Sequence, residues 1–162
     1  MRLRRSSLVV VSTGTVDHRR LPVYGADAFE VPFVIAGANE QITRNTHWDD
    51  HSHPTHELLW NERGASTATI GSRTWTVTPS VGLWIPAGVL HSGWMPAGTW
   101  YRAAQFSVVS VPSISADAVA VEISPLLRLL LERLLLSRHD SLERRITRLV
   151  LALRDREHGR ER

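Results

Sequence analysis

From Phe29 to about Ser110 the chain alternates short runs rich in Val, Ile, Thr and Trp with Gly and Pro punctuation, and no stretch keeps a helical period. Breaks every eight to twelve residues or so are the spacing of a sandwich or barrel. The pattern predicts strands at 31–36, 57–63, 66–70, 73–78, 82–85 and 100–109. Between 66–70 and 73–78 only Gly71-Ser72 remains. A glycine at the first turn position supplies the positive φ of a type II′ turn, so these two runs read as a hairpin. Residues 1–28 mix short apolar and polar pieces and read as an arm with one strand at 8–12.

The language changes near Glu122. Ser124 followed by Pro125 is an N-cap with proline at the first helical position, where its missing N–H costs nothing. Residues 126–136 then hold eight leucines, too many for one stripe, so this helix needs cover on two sides. Asp140 with Glu143 opens a second expected helix, which carries Leu142, Ile146, Leu149, Val150 and Leu153 at helical spacing. Its other face holds Arg144, Arg145, Arg148, Arg154 and Arg156, the side expected to meet solvent. Stripes of this kind on identical chains are self-complementary about a two-fold axis, so a homodimer through the helical segment is expected.

Composition narrows the class. The 162 residues are 43% hydrophobic and 22% charged, which suits one globular domain with a helical appendage. Every basic side chain apart from histidine is arginine, and the formal net charge is only +3. A diffuse excess of that size argues for a solvated surface and against specific DNA binding by these residues. Cysteine is absent, which removes disulfides and thiolate chemistry. The basic start is followed by an apolar run of four residues, 8–11, too short for a signal peptide, and no run approaches a membrane span. The expectation is a soluble, cytoplasmic protein.

The candidate chemistry is concentrated in His51-Ser52-His53-Pro54-Thr55-His56-Glu57 and, some thirty residues later, Pro86-Ala87-Gly88-Val89-Leu90-His91. His51, His53 and Glu57 have like parity, so an extended strand would aim them at one side, and His91 from another strand would complete the set. Three imidazoles and a carboxylate suit a borderline divalent ion (Zn, Ni, Mn or Fe) with positions left open for a ligand. His47 and His56 read as bystanders. Trp48, Trp60 and Trp84 are candidates to line an effector pocket. There is no Ser-His-Asp arrangement and no glycine-rich phosphate loop.

The spacing H-x-H-x3-E-x6-G, closing on Gly64, followed by P-x-G-x2-H, resembles the paired motifs of the cupin superfamily. Asn45 stands where the first motif usually opens with glycine, and Met95 where the second usually closes with asparagine. Over nearly the whole chain, HWDDHSHPTHELLW, WIPAGVLH and the leucine-rich ISPLLRLLLERLLL resemble the N-terminal effector-binding and dimerisation domain of AraC-family regulators. That resemblance implies a mainly β fold, a double-stranded β-helix (jelly-roll) barrel followed by two α-helices. The implied division is an arm at 1–28, a barrel at 29–112 that takes an effector or metal, and a two-helix dimerisation segment at 122–158. It also implies a small-molecule effector, and DNA contact through a helix-turn-helix domain outside this sequence, so that the chain reads as part of a longer regulator, with a stand-alone sensor as the alternative. A small metal-dependent cupin enzyme, of dioxygenase or isomerase type, is the alternative. The motifs do not specify the effector.

Overall fold

In the computed structural model, residues 15–136 are described. They form ten strands and one helix: β1 (Asp17–Arg19), β2 (Ile35–Gln41), β3 (Thr46–His51), β4 (His56–Arg63), β5 (Ser66–Ile70), β6 (Arg73–Val77), β7 (Val81–Ile85), β8 (His91–Met95), β9 (Trp100–Phe106), β10 (Val119–Glu122) and α1 (Pro125–Leu136). Two five-stranded sheets result, ordered β1-β3-β8-β5-β6 and β10-β7-β4-β9-β2. All pairings are antiparallel except β1 with β3. The mainly β, jelly-roll class expected from the sequence is the observed one. The second expected helix and the strand at 8–12 lie outside the described residues.

Alternation along the central strands divides the core in two. On β4 and β9, Leu59, Tyr101 and Ala103 point between the sheets, into a cluster with Ile42, Ala68, Val77, Leu83, Ile85 and Met95. Leu58, Trp60 and Ala104 point the other way and join Ile35, Trp84, Ile123 and Leu131 of α1. Strand β4 is thus buried on both faces over its first six residues and reads as a continuous run.

Helix α1 starts as its sequence requires. Ser124 Oγ accepts from the Leu127 N–H at 3.2 Å, and Pro125 is the first helical residue. Arg128 ties the helix to β4 through Glu62 at 2.6 Å. Leu131 is buried against the sheet, whereas Leu126, Leu129 and Leu130 are 66%, 58% and 51% exposed. Leu135 packs so close to β2 that a Cβ on Gly37 would lie 2.6 Å from its methyl, which would have to shift to admit one.

Ile70 pairs with Arg73 across Gly71-Ser72, and Gly71 has φ of 58° while no described non-glycine residue has positive φ. This is the type II′ pattern. Other expectations need correction. The run placed at 31–36 is a strand at Ile35–Gln41, because its backbone partners on β9 begin only at Ile35. The run placed at 100–109 ends at Phe106, where Ser107 turns the chain by accepting from the Ser110 and Val111 amides. Strands β1, β3, β8 and β10 were not legible. Part of the arm is docked, since β1 pairs in register with β3.

At the closed end of the barrel the fully buried Asn61 donates to Val77 O at 2.9 Å and to Ser66 Oγ at 3.1 Å. Removing that amide takes a buried donor from the Val77 carbonyl and the Ser66 hydroxyl. Asn61→Ala is expected to lower stability by about 1–3 kcal/mol. Thr69→Ala, at the exposed Thr69–Thr74 pair, should stay within about 0.5 kcal/mol. Urea midpoints of the two variants check this.

Candidate metal and effector site

Both sheets contribute to one cluster. His51 ends β3 and His91 opens β8, and the two stand opposite each other in register. His53 comes from the turn between β3 and β4, and Glu57 from β4 of the second sheet. The four residues singled out in the sequence converge, but the reason is not strand parity. A register shift between Trp48 and His51 brings both of these residues to the inner side, and the chain then turns through residues 52–55.

The ring centroids of His51 and His91 are 4.2 Å apart, with His53 at 5.0 and 5.3 Å from them. The ligand atoms of the three histidines lie within 4.8 Å of one another. Glu57 Oε2 is 3.4 Å from His91 Nε2 and 3.7 Å from His53 Nε2. His51 Nδ1 donates to Asp49 O at 2.7 Å, and His91 Nδ1 donates to Val89 O at 2.9 Å. A carbonyl oxygen can only accept, so each ring carries a proton on Nδ1 and turns its Nε2 to the cluster, as a lone pair on His51 and as the donor to Glu57 on His91. Such a backbone partner on the second nitrogen is what orients a metal-ligating imidazole. Gln105, directly opposite Glu57 on β9, donates to Glu57 Oε1 at 2.9 Å and accepts from Thr55. The donors and their orientation fit a borderline divalent ion.

Burial would raise the Glu57 carboxyl, but the His91 hydrogen bond and the nearby imidazoles hold it at about 2. Burial holds His51 and His53 below 6.5. His91 is also opposed by burial, yet its bond to Glu57 lifts it above 6.5. One proton is therefore drawn to the His91–Glu57 pair while the other two rings stay neutral, the form that binds metal.

Below the cluster lies a cavity of about 250 Å³ with walls that include Trp48, Leu59, Met95, Tyr101 and Ala103, and Leu21 from the arm. Burial pushes the Tyr101 phenol up to about 12, so it stays neutral. Trp48 Nε1 is a buried donor with no partner among the described residues. Trp60 and Trp84, expected as lining, are instead packed in the outer cluster beneath α1. Trp60 takes the outward parity of β4, and Trp84 donates to Ser113 Oγ at 3.0 Å. His56 is turned to the Ala87 amide at 3.0 Å and to Trp84, outside the cluster. Met95 lines the cavity, and Asn45 Oδ1 accepts from the Ala97 amide at 3.0 Å. Gln105 and Thr55 were missed by sequence reasoning, because a lone Gln on a strand distant in sequence carries no signal.

Residues 34–162 match the family described as the AraC-like ligand binding domain. The chain belongs to that family. Over 100 residues it is 30% identical to the HTH-type transcriptional regulator NimR of Escherichia coli K12, a match covering 60% of this chain and 34% of that protein. The chain thus spans about a third of the length of the curated relative it matches. Among solved structures, apo ToxT from Vibrio cholerae is similar at a TM-score of 0.48 and 8% identity, covering 64% of this chain and 48% of that one. Wild-type ToxT with a bound unsaturated fatty acid is similar at 0.44 and 8%, covering 60% and 43%. The family and the curated relative are those of transcription regulators.

Protonation of the metal-free site couples the stability of this AraC-like domain to pH. His51, His53 and His56 are held below 6.5 by burial, so the unfolded chain takes up these three protons first, and stability falls as pH drops through about 6.5. His91, raised, offsets one of them. Glu57 removes a further increment between 4.5 and about 2. The urea midpoint of metal-free protein is expected to be lower at about pH 5 than at about pH 7.5. Equal midpoints would contradict the neutral-histidine assignment.

Proposed function

We propose that this barrel is the signal-receiving part of an AraC-family transcription regulator, in which a small organic effector occupies the cavity against a divalent cation held by His51, His53, Glu57 and His91. The observation that carries the reading is the pair of imidazoles whose Nδ1 atoms are tied to backbone carbonyls, so that their Nε2 atoms converge with a buried carboxylate. A structural histidine needs no such convergence. Bound there, the cation supplies a positive charge for an anionic or lone-pair group of the effector. The apolar walls take the rest of the molecule, and the neutral Tyr101 and unpartnered Trp48 N–H offer donors along the way. The same three-histidine, one-carboxylate set favours a second reading, a small metal-dependent enzyme, which turnover by the metal-loaded chain would reveal.

In the regulator reading DNA is contacted by a helix-turn-helix domain in the remainder of a longer protein, as the extra length of NimR suggests. The arm at 1–28, the barrel at 29–112 and the helical segment at 122–158 act as its three parts. The protein works in the cytoplasm, and no described helix is long and apolar enough to cross a membrane. The chain pairs with a second copy through Leu142, Ile146, Leu149, Val150 and Leu153, which lie outside the described residues. The exposed Leu126, Leu129 and Leu130 support an apolar helical surface in need of cover.

Two measurements test these readings. Isothermal titration with Zn, Ni, Mn and Fe(II) is expected to show one equivalent fewer in His51→Ala/His91→Ala than in the unaltered chain. Its affinity should weaken as pH falls below about 6.5, because protons compete for the imidazoles. No difference in stoichiometry would sink the metal. Light scattering at micromolar concentration is expected to give twice the 18.2 kDa of one chain, and Leu149→Glu/Leu153→Glu should reduce it to one. A monomer in the unaltered chain would mean that the helices have another use.

A further inference from the structure

The geometry points to a second divalent-cation site on the outer face of the first sheet, formed by His18, His47 and Asp49, where a cation would clasp the N-terminal arm to the barrel. One ligand atom from each residue lies within 4.8 Å of the others. The register of the fold produces this grouping. Strand β1 pairs in parallel with β3 so that His18 stands beside His47, and Asp49, two residues further along β3, falls on the same face. Asp49 Oδ1 is 3.1 Å from His47 Nδ1 and 3.7 Å from His18 Nδ1. Its other oxygen takes Arg20 Nε at 3.2 Å, which keeps Oδ1 turned to the imidazoles.

The site is separate from the inner cluster. Trp48, between His47 and Asp49, points into the cavity, and the register shift before His51 places the two histidine groups on opposite faces of one strand. The side chains of His18, His47 and Asp49 are 63%, 38% and 35% exposed, so water has room to complete the coordination. Two imidazoles and one carboxylate favour Zn(II), Ni(II) or Cu(II) over Mg(II) and Ca(II).

What the cation would hold is the arm. Arg19 already anchors it through a two-pronged bond to Glu40 at 2.6 Å and by lying 4.9 Å over the Trp48 ring. Three residues beyond His18, Leu21 reaches the cavity wall, and Val23 bridges to Ser52, next to His53. A ligand that binds only when β1 is docked shifts the arm toward the docked state by mass action. Cation occupancy outside the barrel would thereby favour the closed cavity inside it, and the outer site needs no metal at the inner one.

Zinc titration of the full chain, comparing the unaltered protein with His18→Gln and His47→Gln, is the test. Both substitutions are at partly exposed positions outside the core. Each is expected to remove one zinc equivalent or to weaken it by more than the roughly 10–100-fold typical for loss of an outer-sphere partner. The inner-site variant His51→Ala/His91→Ala should retain this equivalent, which separates failure at one site from failure at the other. Hydrogen exchange across residues 15–24 should slow on zinc addition in the unaltered chain and not in His18→Gln. Identical stoichiometry and affinity in the unaltered chain and both glutamine variants would overturn the proposal. So would arm exchange that responds to zinc equally in unaltered and His18→Gln protein.

Discussion

An ionised carboxylate buried between two apolar sheets has to be matched where it sits, and the match made for Glu57 organises the mouth of this barrel. Burial alone would drive Glu57 toward its neutral form. His91, His53 and His51 reverse that and hold it at about 2, and Gln105 donates to its other oxygen. Because these partners come from β3, β8, β9 and the turn after β3, the charge is compensated only when both sheets close around it. The imidazoles in turn limit one another. Two are kept neutral by burial and by their neighbours' charge, and only His91 leans toward its protonated form. The cluster thus holds one shared proton and two free lone pairs around a buried charge.

Strand β4 carries this arrangement to the other side of the second sheet. Glu57 and Leu59 face the cavity, while Leu58 and Trp60 face α1, where they meet Leu131. Glu62 at the end of the same strand is fastened to Arg128 of the helix. Cavity and helix therefore share one close-packed strand. Interiors packed this densely have little free volume to absorb a displacement. A change of ligand at Glu57 and a change of helix seating are mechanically close, with one layer of backbone between them.

How far the sequence could be read follows from what each segment does. The donor set was legible because a strand that merely meets solvent has no need of three histidines and a glutamate at fixed spacings. The hairpin and the helix start were legible because Gly71 and Ser124-Pro125 are local instructions. Strands β3 and β8 were not, because THWDDH and HSGWM give positions to His47, Asp49, His51 and His91 and so lack an apolar alternation. Trp60 and Trp84 were assigned to the cavity because nothing in a strand alone says which face a later helix will cover. Parity picked out the four residues that converge, but by an incorrect route, since the register shift after Trp48 has no sequence mark.

That shift also explains why one short strand carries two separate histidine groups. In an unbroken β3, His47, Asp49 and His51 would share a face and Trp48 would lie opposite them. With the irregularity, Trp48 and His51 turn inward, while His47 and Asp49 stay outward beside the arm. The arm then has a reason to pair in parallel at this edge rather than elsewhere. Arg19 finds both a carboxylate at Glu40 and the Trp48 ring, which also meets His51 and Tyr101. A guanidinium over one part of an indole that also borders the cavity links arm position to the shape of the binding space. The arm is therefore read best as a wall of the cavity, set in place by the same strand that carries His51.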